Sequence, residues 1–182
     1  MGCFVTLPRD WGTEPMQRIK DNGFKPERHV YVTEDGYINT AFRVTGMLSD
    51  GPSEVQKPVV IFNHGMTNTC LSFLADEEHS LALVFARAGF DVWLNNNRGN
   101  RYSRQHRSLD PDTDEPYWDY GFYEMGRYDQ RALFEYVLDK TGVRKVTYFG
   151  YSQGTSQMFS AIVEDPDYYR ERVNLFIMVG PA

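Results

Sequence analysis

Lys145-Val-Thr-Tyr-Phe-Gly-Tyr-Ser-Gln-Gly-Thr155 is the stretch on which the reading of this chain turns. The β-branched and aromatic run from Lys145 to Phe149 has the character of a buried strand, and Gly150-Tyr-Ser-Gln-Gly154 is a Gly-x-Ser-x-Gly turn. Behind it Met158, Phe159, Ile162 and Val163 recur at helical spacing, predicting a helix that buries those four side chains and stops near Pro166. Strand, sharp turn and helix in this order form a nucleophile elbow, which holds a serine on a strained bend with its hydroxyl exposed. Gly150 and Gly154 lack the Cβ atoms that would collide where strand and helix nearly touch. Ser152 is the candidate nucleophile.

Working outward, strands and helices alternate on both sides of this turn. Val59-Val-Ile-Phe62 is a continuous apolar run suited to a strand covered on both faces, and Phe90 to Leu94 is a second strand. Between them Leu81, Val84, Phe85 and Ala88 fall on one helical face, closed by Gly89. Met125, Tyr128, Ala132, Leu133, Tyr136 and Val137 make another helical stripe, closed by Gly142. Asn174 to Val179 reads as a last, buried strand. Upstream, His29–Thr33 and Tyr37–Val44 alternate at period two around an Asp35-Gly36 step, which predicts a β-hairpin. Residues 1–28, punctuated by Pro8, Gly12, Pro15, Gly23 and Pro26, read as an N-terminal arm with at most one short helix around Met16–Asp21. Residues 29–182 then form one α/β domain, a mostly parallel sheet with helices on both faces.

Composition narrows the chemistry. With 182 residues, 41% of them hydrophobic, the chain is long enough to bury a substantial core as one domain. A formal net charge of −6 gives it no electrostatic reason to seek phosphate backbones, so nucleic acid is not an expected partner. The basic cluster of Arg98, Arg101, Arg104, Arg107 and His106, followed at once by Asp110, Asp112, Asp114 and Glu115, reads as a solvated loop. The cysteines Cys3 and Cys70 suggest no disulfide framework. No apolar run approaches the roughly 18 residues needed to span a bilayer, and the N-terminus lacks the apolar core of a secretory signal. Met1-Gly-Cys-Phe-Val-Thr6 does fit the pattern for N-myristoylation at Gly2, with Cys3 available for a second acyl chain.

Acyl transfer needs donors for the negative charge that develops on the carbonyl oxygen, and backbone N–H groups supply them without reorganisation. The amide of Gln153, opening the helix after Ser152, is one. The loop His64-Gly65-Met66, directly after the Val59–Phe62 strand, has the position of the second, with Met66 acting through its backbone. The aromatic block from Tyr117 to Tyr123 is assigned to core packing. Asp119 and Asp129 precede Ser152 and therefore do not fit the order serine, acid, histidine of such a site. No motif calls for a metal or a cofactor.

These segments together resemble the acid lipases, the group containing gastric and lysosomal acid lipase. The resemblance runs in order through Thr33-Glu-Asp-Gly-Tyr37, Phe62-Asn-His-Gly-Met66, Ala88-Gly-Phe-Asp-Val-Trp-Leu94, Asn97-Arg-Gly-Asn100, Phe122-Tyr-Glu-Met125, Tyr128-Asp129 and Gly150-Tyr-Ser-Gln-Gly154, and covers the chain from about residue 16 onward. It departs at Tyr151, where animal members usually carry histidine, and at Tyr123, where aspartate is common. It implies an α/β-hydrolase that cleaves triacylglycerols or sterol esters without a cofactor, with Ser152 as nucleophile and the Met66 and Gln153 amides as oxyanion hole. Neutral lipid esters are then the expected partners, with contact to a membrane or lipid-droplet surface.

Members of that family have about twice this length, with a lid domain followed by an aspartate and a histidine after later strands. All four histidines here, His29, His64, His79 and His106, precede Ser152. The expectation is therefore the N-terminal part of a lipase, its sheet cut after the strand that follows the elbow, inactive as this chain alone and prone to self-association through that edge strand. A non-catalytic lipid- or protein-binding relative, and a hydrolase of small carboxylic esters, are the alternatives.

Overall fold

Strand by strand, the sheet follows from period-two alternation between two apolar surfaces. In the computed structural model, which describes residues 13–51 and 55–182, Val59–Asn63 forms β3 with all five residues buried. Val60 and Phe62 point into one core with Phe42, Val92, Leu94 and Phe149. Val59 and Ile61 point into the other with Trp93, Tyr148, Phe134 and Met158. A strand so placed has no solvent face, which is why its sequence is continuously apolar.

The hairpin strands are β1 (Phe24–Val32) and β2 (Tyr37–Met47), followed by β3, β4 (Asp91–Asn95), the two-residue β5 (Gln105–His106), β6 (Val146–Tyr151) and β7 (Val173–Val179). They form one seven-stranded sheet in the order β1-β2-β4-β3-β6-β7, with β5 paired to β2. β1, β2 and β4 pair antiparallel, whereas β4, β3, β6 and β7 pair parallel. The expected mostly parallel α/β sheet with an N-terminal hairpin is the observed one. Helix α1 (Thr13–Asp21) and α2 (Leu81–Arg87) lie on the first face. The second face carries α3 (Phe122–Glu124), running through a π-helical turn at Met125–Gln130 into α4 (Arg131–Thr141), and then α5 (Gln153–Glu164) and α6 (Pro166–Arg172).

Several local expectations are corrected. The segment read as an arm contributes packed structure: Ile19 in α1 and Phe24 at the start of β1 are fully buried. β1 begins five residues before His29 and contains Pro26, which an edge strand tolerates because one row of its backbone groups needs no partner. Residues 1–12, with Gly2 and Cys3 of the acylation pattern, lie outside the described residues. In α2 the buried face is Ala82, Leu83 and Ala86, while Leu81 and Val84 are exposed. In α5 Met158 and Ala161 are buried, but Phe159 and Val163 face solvent. Pro166 stops α5 and starts α6, for which it serves at the first helical position behind the Asp165 cap. β7 is not a buried strand: it lies at the sheet edge, with Leu175, Met178 and Val179 exposed.

The solvated-loop reading fails at Arg98. Its side chain is 1% exposed and pairs with Asp129 (Nη2 to Oδ1, 2.7 Å) and Asp35 (Nη1 to Oδ2, 2.7 Å). Its guanidinium also lies 3.8 Å from the centre of the Tyr37 ring. The hairpin turn, the loop after β4 and the π-helical turn are thereby joined at one buried cation. Arg101 remains on the surface, paired with Glu14 of α1. The aromatic block divides: Tyr117 is buried and its carbonyl accepts from the Tyr37 hydroxyl, whereas Trp118, Phe122 and Tyr123 are largely exposed.

Candidate active site

At the junction of β6 and α5, Ser152 has φ 49° and ψ −125°, a conformation sparsely populated by residues with a side chain. The surroundings over-determine it. The Ser152 N–H donates to the Val179 carbonyl (2.9 Å), and the Ser152 carbonyl accepts from the Thr155 N–H and hydroxyl, each at 2.7 Å. The Tyr148 hydroxyl reaches past the turn to the Gly154 carbonyl at 3.0 Å. These bonds hold the bend open and leave Ser152 Oγ with no hydrogen-bond partner among the described residues.

Close approach explains the glycines. A Cβ on Gly154 would stand 2.5 Å from the Asn63 carbonyl oxygen, so α5 can begin this near the end of β3 only with glycine there. A Cβ on Gly150 would sit 3.1 Å from the Gly154 backbone. Gly65 faces the elbow itself: its Cβ would lie 3.0 Å from Ser152 Cβ and 3.4 Å from Ser152 Oγ. The loop His64-Gly65-Met66 is therefore packed directly on the candidate nucleophile. Met66 and Gln153 line one cavity of about 490 Å³ together with Thr69, Asn97, Asn100, Tyr120 and Met125. Gln153 opens α5, and the first N–H groups of a helix have no acceptor within it. The structure thus sets Gly65 against Ser152 and Gly150 against Gly154 at the elbow, and lines one cavity with Gly65, Met66 and Gln153.

A buried polar chain beneath this site escaped the sequence reading. Tyr31 donates to Asn95 Oδ1 (2.7 Å), Asn95 to Asn63 Oδ1 (2.8 Å), and Asn63 and Gln130 both to Gln157 Oε1 (2.8 and 2.9 Å). It ties the ends of β3 and β4 to α5 one turn beyond the elbow. The available signal was the run of amides Asn95-Asn-Asn97 at the end of an apolar strand, where polar side chains persist only if something inside bonds them.

His64 is 2% exposed, and burial holds its imidazole down at about 4, with the bond to the Gly65 carbonyl working the other way. The unfolded chain takes up a proton near the ordinary 6.5, which the native state refuses until about 4. Stability is therefore expected to fall by roughly 3 kcal/mol as pH drops through that window. Urea unfolding of the protein and of His64→Gln at several pH values checks this: the difference between them should change over that interval, and parallel curves would contradict it. None of the four histidines bonds Ser152 Oγ; His29 engages Glu27 and Tyr136, and His106 the Asp35 carbonyl. Among the described residues no three His, Cys, Asp or Glu side chains cluster as a metal-ligand set, and no helix is long and apolar enough to cross a membrane.

A mostly parallel sheet with a strained serine at the strand-to-helix turn is the arrangement of the α/β-hydrolase fold. Residues 58–181 match the family model described as alpha/beta hydrolase fold, and residues 15–77 the partial alpha/beta-hydrolase lipase region. The chain belongs to the alpha/beta-hydrolase fold family, and within it is related to the acid lipases that the sequence resembles. It is 37% identical to mouse lipase member M over 90% of this chain and 38% of that protein. To human lysosomal acid lipase/cholesteryl ester hydrolase it is 37% identical, over 88% of this chain and 40% of that one. The chain thus spans about two fifths of the length of these curated relatives. A crystal structure of a Pyrococcus furiosus esterase matches the fold with a TM-score of 0.62 at 16% identity, over 89% of this chain and 51% of the esterase.

Proposed function

We propose that the protein hydrolyses neutral lipid esters, triacylglycerols or sterol esters, with Ser152 as nucleophile and the backbone amides of Met66 and Gln153 as the oxyanion hole. The observation that carries this reading is Ser152 at φ 49° between β6 and α5, its Cβ and Oγ against Gly65. Attack by Ser152 Oγ on the ester carbonyl places negative charge on the carbonyl oxygen, where two fixed amides act without reorganisation. The substrate class is supported by the relationship to lysosomal acid lipase/cholesteryl ester hydrolase. It is supported too by the apolar side chains of Met66, Tyr151 and Val179 exposed around the elbow, a rim suited to a lipid surface.

A serine hydroxyl needs a base, and no histidine of residues 1–182 bonds it. The native polypeptide bearing these residues is expected to release fatty acid from emulsified long-chain esters, and residues 1–182 alone to do so at no more than a small fraction of that rate. Lipase-level turnover by the 182 residues would reveal an overlooked base; an inert native polypeptide would remove the hydrolase reading. The same 182 residues should self-associate through the exposed edge of β7, where Leu175, Met178 and Val179 stand uncovered. Light scattering showing a monodisperse monomer would contradict that.

A further inference from the structure

The buried imidazole of His64 touches the Gly65–Met66 peptide, one end of the oxyanion hole proposed above, and the roles of its two nitrogens can be read from their partners. Nε2 is approached by the backbone N–H of Asn97 at 3.1 Å, which can only donate, so Nε2 accepts. Asn100 Nδ2 reaches the same nitrogen at 3.0 Å. The Asn100 amide cannot be turned round, because its Oδ1 already accepts from the N–H groups of Tyr102 (2.8 Å) and Ser103 (3.1 Å). Its Nδ2 also donates to Asn96 Oδ1 at 3.1 Å. With Nε2 accepting, the proton of the neutral ring resides on Nδ1, which donates to the Gly65 carbonyl at 2.8 Å, while the Asn97 Nδ2 group 3.4 Å from Nδ1 donates to the His64 carbonyl at 3.3 Å.

That last bond sets the direction of the next amide. The peptide between Gly65 and Met66 is trans, so its N–H points opposite to its C=O. Holding the Gly65 oxygen against the imidazole turns the Met66 N–H to the opposite side of that peptide, and Met66 shares a cavity with Gln153. The loop needs such a restraint: Thr67, immediately after, has φ 57°, a left-handed conformation unfavourable for a β-branched residue.

We propose that His64 is a positioning residue, locked in the Nδ1–H tautomer by the Asn97 N–H and the Asn100 side chain, and that through the Gly65 carbonyl it aims the Met66 amide at the reacting carbonyl. This rests on the hydrolase reading for its consequence and on the hydrogen bonds alone for the lock. The burial that keeps the ring neutral acts in the same sense, since a proton on Nε2 would face two donors.

The test has a spectroscopic arm and a kinetic arm. Nitrogen-15 spectra of the unaltered protein should show His64 Nδ1 with a pyrrole-like and Nε2 with a pyridine-like shift, unchanged between pH 8 and about 5. A protonated Nε2 would overturn the lock. Kinetics on the native polypeptide compare His64→Asn, whose amide can take the place of Nδ1–H, with His64→Gln, whose amide extends toward the position of Nε2. Removing one oxyanion donor costs about 100- to 1,000-fold in kcat, so mis-aiming it in His64→Gln should cost about 10- to 100-fold with KM little changed. His64→Asn should recover most of that loss. Equal losses in His64→Asn and His64→Gln would overturn the positioning role. If the unaltered polypeptide is inactive, the hydrolase reading falls and the spectra alone decide the lock.

Discussion

Ser152→Ala in the native polypeptide is expected to lower kcat for long-chain ester hydrolysis by about 10⁴-fold or more, because a nucleophile and its base act as a unit and what survives comes from the oxyanion hole and binding. KM should change little, since the Ser152 hydroxyl, which alanine lacks, makes no hydrogen bond to the described residues. The backbone at this position makes a second, independent demand. At φ 49° and ψ −125° alanine is as strained as serine, whereas glycine is not. Ser152→Gly should therefore be as inactive as Ser152→Ala yet more stable by about 0.5–1 kcal/mol, measurable by urea unfolding. A glycine variant less stable than the alanine one by about 0.4–1 kcal/mol, the entropy cost of glycine at an unstrained position, would mean that the bend carries no strain, and retained activity in either would place the chemistry elsewhere.

The second large effect is one of stability. Arg98→Ala should cost about 3–5 kcal/mol, because it leaves the Asp129 carboxylate, fully buried, without its counter-ion. Arg98→Lys should restore only part of this. A lysine ammonium cannot reproduce the fork by which Arg98 Nε and Nη2 engage Asp129 while Nη1 and Nη2 engage Asp35. Because Arg98 lies in the loop whose neighbours Asn97 and Asn100 reach His64, loss of the cation should also loosen the oxyanion side of the site. An unfolding free energy within about 0.5 kcal/mol of the unaltered protein would show that Asp129 is already neutral and that the triad holds nothing together.

How much of this was legible depended on whether the physical signal is local. The elbow was, because a strand, two glycines with a serine between them and a helix are consecutive and each constrains the others. β3 was too, since unbroken apolarity over Val59–Phe62 matches a strand that is covered on both faces and has no side left for water. Helix faces were harder. In α5 the spacing of Phe159 and Val163 is compatible with burial, but the helix packs through Met158 and Ala161 and both side chains are exposed. The burial of Arg98 was hidden for a different reason: its partners Asp35 and Asp129 are 63 and 31 residues away in sequence, so the charge looked like one of a run. The same holds for His64, whose lock is completed by Asn97 and Asn100 from the loop after β4. Each residue was visible, but not the pairing that gives it a role.

The central claim is that Ser152 is the nucleophile, and covalent trapping addresses it most directly. An active preparation of the native polypeptide treated with a long-chain alkyl phosphonate ester, then digested and mapped by mass spectrometry, should carry one phosphonyl group on the oxygen of Ser152, in step with loss of activity. Inactivation with the adduct on any other residue, or with Ser152 unmodified, would contradict it.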